Sequence, residues 1–228
     1  MRPVDKGAAP LLPFAAFAEA APELVARLGR YCSYCERYIE THLAVEHVQP
    51  KSLAPAQILA WSNFLLACVN CNSIKGDTAI VAADYYWPDV DNTLRAFSYS
   101  LGGLVDPGVT LAGPQEDIAR RTISLVGLNR YPGSAAGEPT TSDLRWLRRQ
   151  EVWTLAHNCV ARLANNNTIE VRELIVEVAV ARGMFSIWWT AFVGDRDMRL
   201  RLRQAFHGTC GNSFDINEDL QARAGGQL

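Results

Sequence analysis

No stretch of this chain stays apolar for the 18 or so residues that a membrane-crossing helix needs. Its opening, Met1-Arg2-Pro3-Val4-Asp5-Lys6, lacks the charged-then-apolar plan of a secretory leader. The expectation is a cytoplasmic protein with no membrane role. Charge of one sign is also scarce: 22 Lys and Arg against 24 Asp and Glu leave a formal net charge of −2. That balance excludes a surface that is basic all over, the usual means of gripping nucleic acid unaided, because phosphate neutralisation supplies most non-specific affinity. Any basic surface must be local, or a partner must deliver the nucleic acid. Internal repeats are missing, and so are low-complexity tracts, apart from an Ala/Pro-rich opening over residues 8–22.

What is present is ordinary in bulk. The 228 residues are 49% hydrophobic and 20% charged, enough to bury a core in one large domain or two small ones. A cytosolic compartment keeps thiols reduced, so the spacing of the six cysteines matters more than their number. Four fall in two pairs, Cys32-x-x-Cys35 and Cys68-x-x-Cys71, while Cys159 and Cys210 stand alone in helical sequence and read as small buried apolar residues. Two such knuckles can each wrap one side of a tetrahedral zinc ion and together complete a four-thiolate site; the bland alternative is four unrelated buried cysteines. The interval from Cys35 to Cys68 is longer than in zinc ribbons, so a sizeable element must loop out between the knuckles. A four-thiolate zinc has no open coordination position, so it folds the region and does no chemistry itself.

Along the chain, Pro22 through Leu28, closed by Gly29, reads as a short helix delivering the first knuckle. Tyr85-Tyr86-Trp87-Pro88 and Leu94 to Tyr99 read as extended, separated by the turn-prone Asp89-Val90-Asp91-Asn92. Pro114 to Leu128 has helical periodicity, with Ile118, Ile123, Val126 and Leu128 pointing inward. Breakers from Tyr131 to Pro139 mark the best boundary, and beyond it come helices from Ser142 to about Leu163, from Thr168, and in shorter pieces ending near Phe206. Leu220 onward reads as frayed. The expected division is residues 1–80 for the helix and motif region, 81–137 for a mixed α/β extension, and 138–228 for a helical region. Two arginine clusters, Arg145, Arg148 and Arg149, and Arg196, Arg199, Arg201 and Arg203, could track a phosphate backbone or simply form solvated helix faces. Trp146, Trp153, Phe185, Trp188, Trp189 and Phe192 read as bundle core.

The looped-out element contains Val45-Glu46-His47-Val48-Gln49-Pro50-Lys51-Ser52, a carboxylate and a histidine in a short β-like stretch before a proline. Neighbours on a strand point to opposite faces. Glu46 and His47 can therefore meet at one substrate only if the strand is strongly twisted or bulged there. Next come Trp61-Ser62-Asn63-Phe64-Leu65-Leu66-Ala67-Cys68 and Cys71-Asn72-x-x-Lys75-Gly76-Asp77. Taken singly, His47 is a packed or surface histidine, Glu46 a solvated charge, Asn63 and Asn72 turn residues and Lys75 a solvated lysine. His42, His157 and His207 have no partner at ligand spacing.

In order, spacing and residue type, the segment from Cys32 to Asp77 resembles the HNH (ββα-metal) endonucleases. More narrowly, it resembles the zinc-knuckle members that serve as nuclease subunits of Septu-type and retron-associated bacterial anti-phage systems. Around Tyr86-Trp87-Pro88 and Leu125 to Asn129 the likeness is only weak. The resemblance implies an α+β fold, a zinc-stapled ββα-metal module followed by a mainly α-helical C-terminal region. It implies hydrolysis of phosphodiester bonds, in DNA rather than RNA, with His47 as general base. Glu46 and Asn72 would be hard oxygen ligands for a catalytic Mg²⁺ or Mn²⁺, beside the structural Zn²⁺ on Cys32, Cys35, Cys68 and Cys71. Asn63 would brace the loop holding His47, and Lys75 could pair with a phosphate. Defence nucleases of this kind work beside an ATPase subunit, which implies a partner docking on residues from about Ser142 to Phe206. Two departures from the usual pattern are Glu46, where many members carry Asp, and Asn72, where others use histidine. The competing readings are a zinc-knuckle module that binds nucleic acid or protein without cutting, and a restriction or toxin nuclease that acts alone.

Overall fold

In the computed structural model, which describes residues 1–228, the motif region is built on α1 (Ala20–Leu28). Ala20, Leu24 and Leu28 recur every fourth residue and form its buried stripe. Gly29 ends the helix at φ +74°, a conformation a side chain would strain, and its N–H returns to the Val25 carbonyl. The helix starts two residues before Pro22, which therefore sits inside the first turn.

Strands β1 (Ala44–His47) and β2 (Phe64–Ala67) pair antiparallel, with Glu46 opposite Leu65 and His47 opposite Phe64. β2 is buried at all four positions, which suits its unbroken apolar run Phe64-Leu65-Leu66-Ala67. The chain then turns directly into α2 (Val69–Lys75), capped by the Cys68 Sγ accepting the Cys71 N–H. Two strands and a helix thus form within 32 residues of sequence from Ala44 to Lys75.

The middle of the chain differs from its reading. Thr93–Ala96 is a single helical turn, α3, and only Phe97–Ser100 is strand, β3. It pairs with β4 (Leu104–Pro107), which the periodicity did not suggest. Tyr85 to Pro88 joins no sheet, because side chains take the donors a ladder would have used. The Tyr86 N–H bonds Thr122 Oγ1 at 2.9 Å and the Trp87 N–H bonds Asp91 Oδ2 at 2.7 Å. Helix α4 (Pro114–Leu125) starts at its proline and is followed by buried Val126 and Leu128.

Beyond lie α5 (Arg145–Asn165), α6 (Ile169–Arg182), α7 (Phe185–Ala191) and α8 (Arg196–Ala205). Thr168 and Asp195 cap α6 and α8 through their side chains. Two apolar cores result. One gathers buried residues between Met1 and Leu128 together with Leu228; the other gathers residues between Val152 and Phe214 with Tyr31 and Leu94. Phe185, Trp188, Trp189 and Phe192 are in the second core, with Trp153 packed against it.

The C-terminal segment is not frayed. Leu228 is buried, its carbonyl accepts the Asn92 N–H at 3.1 Å, and Arg223 donates to the Val4 carbonyl at 2.9 Å. A polar, glycine-containing sequence reads as loose, but its backbone finds partners on residues far upstream.

Candidate active site and metal centre

The four cysteines of the two knuckles converge. All are buried, and their Sγ atoms lie within 4.8 Å of one another. Cys35 and Cys68 Sγ are 3.7 Å apart. That matches the roughly 3.8 Å edge of a tetrahedron with metal–sulfur bonds of about 2.3 Å, and is far too long for a disulfide. Cys32 and Cys68 Sγ accept the N–H groups of Cys35 and Cys71 at 3.5 and 3.4 Å. Burial pushes the Cys32 and Cys71 thiols up, while hydrogen bonds from the other three cysteines pull Cys68 down. Four thiolates this close in a buried place need a cation to hold them, and the donor set fits zinc.

The second site lies across α2. A cavity of about 90 Å³ is lined by Glu46 and His47 from β1, by Asn72 and Lys75 from α2, and by Lys51 and Asp77 from the loops. Val45, Pro50 and Gly76 complete it, so its wall is largely polar. The ladder runs in unbroken register through His47, so no bulge brings Glu46 and His47 together. His47 is instead the last residue of β1, where the chain leaves the sheet.

His47 is held on both sides. Its ring meets the edges of Phe17 and Phe64 at centroid distances of 5.0 and 5.1 Å. Its Nε2 lies 3.0 Å from the Ile58 carbonyl oxygen. A carbonyl only accepts, so Nε2 carries the hydrogen, and Nδ1 is the lone-pair nitrogen of the neutral ring. Burial lowers the imidazole from its ordinary value, which favours that neutral form.

Asn63 reaches across the loop that follows β1. Its Oδ1 accepts the Gln49 N–H at 2.7 Å, and its Nδ2 donates to the carbonyls of Gln49 and Gln57 at 3.0 and 3.3 Å. All of its side-chain hydrogen bonds go to loop backbone. Asn72 is half-buried on the cavity wall. Glu46, Asn72 and the exposed Asp77 supply hard oxygen donors around one small polar space, a donor set that fits Mg²⁺ or Mn²⁺.

Lys75 departs from its expected role. It is 1% exposed, with Nζ 2.8 Å from Glu46 Oε1 and 2.8 Å from the His47 carbonyl oxygen. An ammonium committed to two internal acceptors does not reach out to a phosphate. The arginine clusters depart from their readings in part: Arg148 and Arg196 are exposed, as a solvated helix face requires, but Arg145 and Arg149 are not. Arg145 and Arg149 are buried: Arg145 bonds Asp143, the Val126 and Gly127 carbonyls and, at 3.1 Å, Cys71 Sγ, while Arg149 bonds the Gly103 and Leu128 carbonyls. Arg148 pairs with Glu151 on the surface. In the other cluster Arg199 lies over the Trp189 ring, Arg201 pairs with Asp197 and Arg203 with Glu218. Asp77 and Arg145 take places that the sequence did not assign them: Asp77, the end of the motif beside Gly76, lines the cavity, and Arg145, read as part of a basic helix face, bonds Cys71.

Residues 32–78 match the family model described as HNH endonuclease. That segment holds both knuckles, both strands and α2, so the chain carries an HNH endonuclease domain with a four-cysteine cluster of the zinc-knuckle kind. The chain is also 27% identical over 158 residues to the Septu protein PtuB of Bacillus thuringiensis. The alignment covers 64% of this chain and 57% of that protein, so the chain spans a little over half of its relative's length. No helix is long and apolar enough to cross a membrane.

Proposed function

We propose that this chain is an endonuclease that hydrolyses phosphodiester bonds in DNA, with His47 as the general base. The observation that carries the reading is the contact of His47 Nε2 with the Ile58 carbonyl at 3.0 Å, on the rim of the cavity that Glu46 and Asn72 line. The Nε2–H is spent on the Ile58 carbonyl, which leaves the Nδ1 lone pair for a water proton beside Glu46 and Asn72. Water attacks phosphorus as His47 takes its proton; Asn63 keeps the loop after β1 in place, so the imidazole does not drift. Glu46 and Asn72 would hold a divalent cation, which when bound offsets charge on the phosphorus transition state and the departing sugar oxygen. The four cysteines would hold zinc and fix α2 against the strands.

A module that only binds nucleic acid or protein has no use for a tautomer-fixed histidine beside oxygen donors, and the geometry favours cutting. Incubating the purified chain with plasmid, single-stranded DNA and RNA, in Mg²⁺, Mn²⁺ or chelator, tests the reading. DNA cleavage that needs the exchangeable metal supports it; metal-independent cleavage, or cleavage of RNA alone, overturns it.

The anti-phage setting rests on the likeness to the Septu protein, and a partner on the near-neutral charge. We place that partner, an ATPase subunit, on the helical region between Ser142 and Phe206, where Ile169 and Leu174 of α6 stand exposed. Docking would raise the local concentration of nucleic acid for a chain with no net basic charge of its own. Because Arg145 bonds Cys71, shortening the chain near Gly137 would disturb the metal centre as well. The test is therefore a pull-down comparing the full chain with its Leu174→Asp variant; recovery of the same proteins by both removes α6 as the docking face.

A further inference from the structure

We propose that Lys75 is the resident counter-ion of Glu46, and that a divalent cation must compete with it for that carboxylate. The proposal rests on the reading of Glu46 as a metal ligand and adds what controls its occupancy.

Lysine is almost never fully buried without a partner, and Lys75 is buried at the last position of α2. The fold aims it with care. Gly76, at φ +50°, turns the chain away immediately behind it, and the ammonium ends between the side chain of Glu46 and the carbonyl of His47. One cation thus clamps two successive residues of β1, through a side chain on the first and the backbone on the second. Glu46 is itself only 3% exposed, so without Lys75 its carboxylate would be buried and unpaired.

The ion pair lies in the wall of the same 90 Å³ cavity that holds the other oxygen donors. Lysines 51 and 75 there face Glu46 and Asp77, two cations against two carboxylates. The formal charges cancel, but only Glu46 is paired: its lysine is in contact with it, whereas Asp77 stands exposed. A divalent cation arriving at Glu46 meets a like charge 2.8 Å from one of its oxygens. Either Lys75 gives way, or the cation binds weakly because both share the carboxylate. The arrangement keeps the site assembled before metal arrives, at the cost of metal affinity.

The test uses the full-length, zinc-loaded protein and Mn²⁺ alone as probe, with free Mn²⁺ read by electron paramagnetic resonance. Binding is measured at pH 8, on the alkaline side, which favours the ionised carboxylate. Lys75→Met should bind Mn²⁺ about tenfold more tightly than wild type, since a competing buried cation is gone. Glu46→Gln should lose the binding. If Lys75→Met binds Mn²⁺ equally or more weakly while Glu46→Gln loses it, Lys75 does not compete and only this proposal falls. If Glu46→Gln binds as wild type does, Glu46 is no ligand and both readings fall.

A measurement on the wild type covers the case in which Lys75→Met does not fold. With lysine side chains labelled with ¹⁵N, the Lys75 ammonium resonance should shift or broaden as Mg²⁺ saturates the protein. A resonance that stays unchanged at saturation overturns the proposal.

Discussion

His47 is gripped by two ring edges and one carbonyl, and that grip sets what its loss should do. His47→Ala should lower cleavage by at least about 10²-fold, the usual worth of a general base. Zinc content should not change, because no cysteine touches the ring. The melting point should fall a little, since a packed side chain is lost. Steady-state cleavage, metal analysis and a thermal melt check the three statements. Asn63 makes a different prediction. Asn63→Ala leaves the Gln49 N–H and carbonyl without their partner, at about 1–3 kcal/mol, and should impair cutting through the loop rather than through chemistry. A fall in cleavage with no fall in melting point would contradict that role. At this scale the sequence was informative about identities and poor about partners. The order of Glu46, His47, Asn63 and Asn72 was readable because motif chemistry demands those residue types. That Lys75 faces inward was not, because a lysine beside Gly-Asp at a helix end reads as solvated.

Helix α2 is the element that joins the two sites. Cys68 caps it, Cys71 faces the knuckle, and Asn72 and Lys75, three residues apart, share the cavity face. From the far side α5 reaches in with Arg145, whose guanidinium bonds Cys71 Sγ at 3.1 Å. A four-thiolate zinc site carries net negative charge, and a buried arginine on one thiolate offsets part of it. The first knuckle is tied in parallel: the Glu36 carboxylate accepts the Tyr99 hydroxyl and the Ser186 N–H, and its carbonyl accepts the Met184 N–H. Gly183 permits that approach, since a Cβ there would sit 2.6 Å from the Glu36 carbonyl oxygen. Arg145→Ala should therefore cost about 3–5 kcal/mol, because Asp143 is left buried and unpaired. It should also speed the release of zinc to a chelator, followed with a colorimetric indicator. Zinc release at the wild-type rate would mean that α5 merely packs beside the centre. None of this was legible beforehand. Arginines three and four apart on a long helix look like a solvated stripe, and only tertiary packing reveals that Arg145 and Arg149 point in and Arg148 points out.

For the whole molecule, the four-cysteine centre lies in the first apolar core and is tied to the helices of the second through Arg145 on Cys71 and through Glu36 beside Cys35, so loss of its metal should be global rather than local. Cys71→Ser should lose the metal and shift or abolish the cooperative melt, with about one zinc per chain in the wild type by mass spectrometry. A folded, zinc-free wild type would contradict the account. The knuckles were visible in the sequence because short-range spacing encodes them, and the α+β class and the ββα order were implied by the resemblance that the motif carries. The β3–β4 hairpin and the docked C-terminal segment were not, since both depend on partners distant in the chain.

The central claim is that the cavity beside His47 cuts DNA. Its most direct test is a time course of plasmid cleavage by purified wild type and His47→Ala, each in Mg²⁺, in Mn²⁺ and in chelator. Wild type should cleave in at least one of the two metals and not in chelator, and His47→Ala should cleave at least about 10²-fold more slowly at unchanged zinc content. Equal cleavage by the two proteins would contradict that claim and move the chemistry away from His47.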